Sequence, residues 1–315
     1  MTDPRSAWPA LPYERLHGTA ETLQLWTQIV GKVAVARLPW LNHAWHAALH
    51  LSARGLTTPL MPAGAGALQF EFDFLAQQLV LRAADGGEVS IALQPGAVAD
   101  VYAQVQAALT ALGAPTRIVA IPNELPDSTP FAKDVALRPY DPAMARDLWL
   151  AMVRMARVFD RFRSRFLGKC SPLHLFWGAS DLAQTRFSGR RAPLHPGGVP
   201  NLPDAVTREA YSHEVASAGF WPGDPRHPEP AFYAYAYPTP AGFAQAAVSP
   251  PQARFSAELG EFLLPYEAVR TAADPDAALL AFLQTTYEAA ADLGGWDRAA
   301  LECGEGIPGV PRPVA

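Results

Sequence analysis

Residues 68–75 read Leu-Gln-Phe-Glu-Phe-Asp-Phe-Leu. Leu68, Phe70, Phe72 and Phe74 fall on one side, and Gln69, Glu71 and Asp73 on the other. Only an extended chain with a two-residue period separates them this way. Such a strand has one apolar and one wet face, so it belongs in an antiparallel sheet with a core on one side. Residues 79–83 and 89–93 flank Asp85-Gly86-Gly87, a hairpin signal that extends this sheet. A second alternating run covers residues 232–237, where Tyr233, Tyr235 and Tyr237 stand in place of the acids of the first.

Helices are expected around these strands. Leu23, Trp26, Ile29 or Val30, and Val33 recur at helical spacing from Thr19 until Pro39 ends the run. Residues 97–112 read as a helix capped by Gly113. Asp141-Pro142 opens a long helix ending at Gly168, and Asp274-Pro275 opens another that Gly294-Gly295 closes. Residues 42–55 are read as a strand carrying His46 and His50, with a helix as the alternative; residues 117–121 and 260–267 are read as short strands. Residues 1–18 read as an extended arm. Pro126, Pro130 and Pro139 mark residues 123–140 as a linker, and residues 302–315 form a Gly/Pro tail expected to be flexible.

The expected fold is α+β: two related halves of antiparallel sheet packed with helices, residues 1–122 and 141–301. Matching Trp26 with Trp149, His46 with His174, Ser52 with Ser180, Thr57 with Thr185 and Gly113 with Gly294 suggests an internal duplication. The second half differs by an insertion, residues 188–229, expected to fold over the tyrosine face and form a pocket.

The chain has 315 residues, half of them hydrophobic and 17% charged, enough for a sizeable core. A net charge of -5 argues against nucleic-acid or anionic-membrane partners. Two scattered cysteines, Cys170 and Cys303, make neither a disulfide framework nor a zinc knuckle, so a reducing cytoplasm is the expected home. No leader is visible, and no apolar run approaches the ~20 residues of a membrane span.

Candidate chemistry gathers in residues 168–238. Arg186, Arg190, Arg191 and His195, with Gly197 and Gly198, suit a carboxylate or phosphate, because guanidinium forks and free backbone N–H groups bind oxyanions. No Walker loop, dinucleotide fingerprint or nucleophile elbow is present. His213, His174 and Asp181 are the candidate proton carriers. Tyr211, Trp221, Tyr233 and Tyr235 are the candidate pocket lining. No cofactor is expected; a metal, if bound, would use His174, Asp181, His195 and His213.

The motifs WPALPYE (residues 8–14), LWTQIVGK (25–32), ARGLTT (53–58), GKCSPLHLFWG (168–178), FSGRRAPLHPGGVPNLPD (187–204) and EFLLPYEAVR (261–270) run over nearly the whole chain. Through them it resembles an uncharacterised bacterial domain-of-unknown-function family. The resemblance implies one architecture and no activity, cofactor or catalytic residue. The residues themselves favour an enzyme or ligand-binding protein for a small anionic molecule. The alternative is a non-catalytic protein that uses a Tyr/Pro-rich face to bind a partner or a second copy of itself.

Overall fold

A computed structural model describes residues 8–125 and 128–312. Part of the expected N-terminal arm, Pro126 in the linker, and the last residues of the tail lie outside the described residues. The first half begins with α1 (Tyr13–Arg37), followed by a 3-10 helix (Asn42–Ala47). Six strands follow: β1 (His50–Leu51), β2 (Gly55–Thr57), β3 (Met61–Ala63), β4 (Gly66–Asp73), β5 (Gln78–Ala83) and β6 (Glu88–Ala92). Helix α2 (Val98–Ala111) closes this half.

The second half begins with α3 (Pro142–Ser164), then β7 (His174–Phe176), β8 (Asp181–Arg191), α4 (Asp204–Ala210), β9 (His213–Trp221) and β10 (Ala231–Tyr237). It continues with β11 (Arg254–Ser256), β12 (Glu261–Pro265), α5 (Tyr266–Arg270), α6 (Pro275–Leu293) and α7 (Arg298–Leu301). The fold is α+β, with two antiparallel sheets of six strands each.

The first sheet runs β1-β2-β4-β5-β6, with β3 beside β4. Leu68, Phe70, Phe72 and Phe74 are buried, as the alternation requires. The second sheet runs β11-β12-β10-β9-β8-β7. Between the sheets Leu49 and Leu175 exchange both backbone hydrogen bonds, at 2.9 and 2.8 Å. One contiguous hydrophobic core spans both halves. Asp141 and Asp274 cap α3 and α6 by accepting from N–H groups of the first turn, with a proline just inside each helix.

The structure departs from the sequence reading in five places. Residues 42–47 form 3-10 turns with His43 and Ala44 in the left-handed region, so His46 is not on a strand; the strand starts at His50. Residues 117–121 form no strand, although Ala120 O accepts from Phe131 N at 3.0 Å. Tyr211, whose run Tyr211-Ser212-His213-Glu214 reads in sequence as the start of a strand, is instead the C-cap of α4, and the strand begins at His213. The expected insertion contains β9, a central strand bonded to both β8 and β10. This part of the insertion therefore lies within the sheet and does not fold over its tyrosine face. The tail is tied down: Cys303 N donates to Arg165 O at 3.0 Å, and Arg312 bonds Gly304 O and Ser164 O.

Candidate functional site

The second sheet has two unlike faces. Leu182, Phe220, Phe232 and Leu264 pack on the helical side, where Phe220 and Phe232 meet the ring of Tyr266. The other face carries Ala183, Gly219 and Tyr233 in one cross-strand row, Thr185, Ser217 and Tyr235 in the next, and Phe187, Val215 and Tyr237 in a third. Asp181 begins β8 on this tyrosine face.

Gly219 shapes the site. A Cβ there would lie 2.5 Å from Tyr233 Oη and 2.3 Å from Leu182 O. Its absence lets the Tyr233 ring lie across β9, and its hydroxyl donates to Asp181 Oδ2 at 2.5 Å. Alongside, the Tyr211 and Tyr235 hydroxyls stand 2.8 Å apart, and Thr185 and Ser217 are joined at 2.8 Å. His195 stacks on Tyr211 with ring centres 4.7 Å apart, and Tyr237 Oη donates to Pro193 O at 3.1 Å.

The first half supplies the opposite wall. Gln28 grips Asn123 from both sides, accepting from its N–H at 2.7 Å and donating to its C=O at 3.0 Å. Gln24 donates to Gly178 O at 2.5 Å, and Lys32 Nζ donates to Asn123 Oδ1 while lying 5.5 Å from the centre of the Trp177 ring. Glu124 N donates to Pro200 O at 2.8 Å, and Asn123 Nδ2 to Asn201 O, which ties this wall to the loop after β8. Glu124 holds φ 62, an uncommon conformation for a residue with a Cβ. Its carboxyl rests against Gly178, where a Cβ would lie 1.9 Å from Glu124 Oε1.

Three carboxyls thus meet a desolvated setting. Burial lifts Asp181 to about 6, opposed by the Tyr233 hydrogen bond. Burial, then repulsion from Asp181, lifts Glu124 to about 7 against the pull of Lys32. Burial and Asp181 likewise lift Glu261, at the start of β12, to about 7. Lys32 falls to about 8, through burial opposed by Glu124. Burial raises the Tyr211 and Tyr233 phenols well above their ordinary value and Tyr235 to about 12. Asp181, Glu124 and Glu261 are nevertheless only partly buried and keep some solvent contact. Acids titrating near neutrality in a cleft can both give and take a proton.

The expected site residues divide. Asp181, Tyr211, Tyr233, Tyr235 and His195 come together. Arg186 does not: it points to the helical side, its guanidinium 3.5 Å from the Phe162 ring centre and 4.3 Å from that of Tyr287. Arg190 is also away, paired with Glu214 at 2.6 Å and donating to Gly294 O and Gly295 O. Arg191 pairs with His213 across the strands, beyond the Tyr237 row. His213 lies beside His43, with ring centres 6.1 Å apart. His174 is buried between Phe176 and His50, and burial drives it down to about 3, so it stays neutral and cannot carry a proton near neutral pH. Trp221 ends β9 beside His227. Among the described residues no group of three or more His, Cys, Asp or Glu is placed to hold a metal, and His174, Asp181, His195 and His213 do not converge.

Sequence reasoning missed Glu124, Glu261 and Lys32. Lys32 carried a signal: a lysine inside the apolar run Ile29-Val30-Gly31-Lys32-Val33, on a helix buried nearly all round. Glu124 carried none, because a proline-rich connection gives no hint of where its side chains point.

The chain belongs to DUF5996, a family of unknown function whose model matches residues 8–303. No curated protein and no solved structure matches it. Among the described residues no helix is long and apolar enough to cross a membrane.

Proposed function

We propose that the chain binds a small polar molecule in the cleft between α1, the 121–125 connection and the tyrosine face, and performs acid–base chemistry on it. The observation that carries this reading is the convergence of Asp181, Glu124 and Glu261, with Tyr233 laid over Gly219 to reach Asp181. Asp181 is the proton carrier, tuned by Tyr233, and Glu124 or Glu261 is its partner. Lys32, Tyr211 and Tyr235 orient the ligand. The repulsion among the three carboxyls is matched by one lysine, so the favoured ligand brings hydroxyl or cationic groups. An anion, which the three arginines were expected to hold, would meet these acids instead, with Arg186 and Arg190 engaged elsewhere.

Two further points accompany this reading. Leu49, just before β1, bridges Leu175 of β7, so the starts of the two halves' sheets meet, as they would if a duplicated unit had closed on itself. The cysteines are free, which fits a reducing compartment.

The test is a thermal-shift screen of amines, polyols and carboxylates against the wild type and Asp181→Asn. A hydroxylated or cationic ligand that stabilises the first and not the second supports the proposal. Stabilisation by carboxylates alone, unaltered by Asp181→Asn, refutes it.

A further inference from the structure

A second polar cavity lies on the helical side of the sheet, away from the tyrosine cleft. It measures about 240 Å³ and is lined by Arg165, Arg186, Gln284, Glu302, Cys303 and Glu305. That is below the ~300–1,000 Å³ of drug-sized pockets, so its occupant is small. The C-terminal segment forms one wall, fixed by Cys303 N to Arg165 O and Leu167 N to Leu301 O.

Arg186 decides what the cavity wants. Its residue is 1% exposed, and its guanidinium is stacked on Phe162, Phe166 and Tyr287. One Nη donates to Phe162 O, while the buried Nε has no hydrogen-bond partner. Among the described residues no carboxylate lies within ion-pair distance of it. The two acids on the cavity wall are already held: Glu302 by Arg298 at 2.5 Å, and Glu305 by Arg161 at 2.8 Å and Arg165 at 2.5 Å. A buried, stacked guanidinium whose Nε–H is free, and whose nearby acid Glu302 is already held by Arg298, is costly, and an oxyanion offsets that cost through charge-assisted hydrogen bonds.

We infer that this cavity binds a small oxyanion of the phosphate type, held by Arg186 and Arg165 beneath the C-terminal segment. Cys303 reports occupancy, because it is part of the cavity lining whereas Cys170 is not. The experiment measures site-resolved alkylation of the full-length chain by mass spectrometry as inorganic phosphate replaces chloride at constant ionic strength. Phosphate is expected to slow Cys303 alkylation saturably, by about tenfold near saturation, and to leave Cys170 unchanged. Arg165→Gln, a change at a part-exposed residue, is expected to remove the protection without loss of helical circular dichroism. Glu305→Gln frees both of its arginines and is expected to lower the phosphate concentration needed for half-protection. A Cys303 rate indifferent to phosphate overturns the proposal. So does protection that survives Arg165→Gln, which would mark an adventitious effect of the ion.

Discussion

At the scale of single residues, the site depends on what Gly219 lacks and on what surrounds Asp181. Gly219→Ala would drive a methyl group into Tyr233 and into Leu182 O. Expected is a loss of about 1–3 kcal/mol in chemical denaturation, typical of forced overpacking, with the Tyr233–Asp181 bond broken. Asp181→Asn has the opposite sign in alkaline solution. The folded carboxyl titrates at about 6, above the ordinary carboxylate value. The folded state therefore binds the proton more tightly, and the stability this group contributes is full below about pH 4 and lost as pH rises through about 6. Melting of Asp181→Asn is expected to be about 2–4 °C higher than wild type at pH 8 and nearly equal at pH 4. A variant melting lower at pH 8 would show that the carboxylate is stabilised where it sits.

At the scale of elements, β8 sends its side chains to two different tasks. Asp181 and Thr185 lie on the tyrosine face, while Arg186 turns to the helical side and Arg190 ties the sheet to the end of α6. Arg190→Gln removes bonds to Glu214 and to the carbonyls that end α6. It is expected to cost about 1 kcal/mol in denaturant unfolding and to leave ligand binding in the cleft unchanged. The strands with clean alternation, β4 and β10, and the helices opened by Asp-Pro were legible because periodicity and capping are local. The tyrosine face was legible for the same reason, and Tyr233 and Tyr235 were found on it. Arg186 and Arg190 are not on the tyrosine face; charge says what a residue can bind but not which face a strand turns it to. Glu124 and Glu261 were invisible because burial and the charge of Asp181, a residue distant in sequence, are what shift them.

At the scale of the whole molecule, the proposed site draws on both halves: Lys32 and Gln28 come from α1, and Asp181 and Tyr233 from the second sheet. Trp177 bridges them, its Nε1 donating to Ala47 O at 2.7 Å while its ring covers Gly31. One core spans both halves, so calorimetry is expected to show a single cooperative transition. Gly31→Ala, whose methyl would lie 2.1 Å from the Trp177 indole nitrogen, is expected to lower it by several degrees without splitting it. Two transitions would mean that the halves are independent and that the cleft is a loose junction. The most direct measurement is a carbon-13 NMR titration of the Asp and Glu carboxyl groups in the ligand-free protein, assigned with Asp181→Asn, Glu124→Gln and Glu261→Gln. The account predicts a midpoint at about 6 for Asp181 and at about 7 for Glu124 and Glu261, with the two glutamates shifting down when Asp181 is replaced. Three independent carboxyls titrating at ordinary values would contradict it.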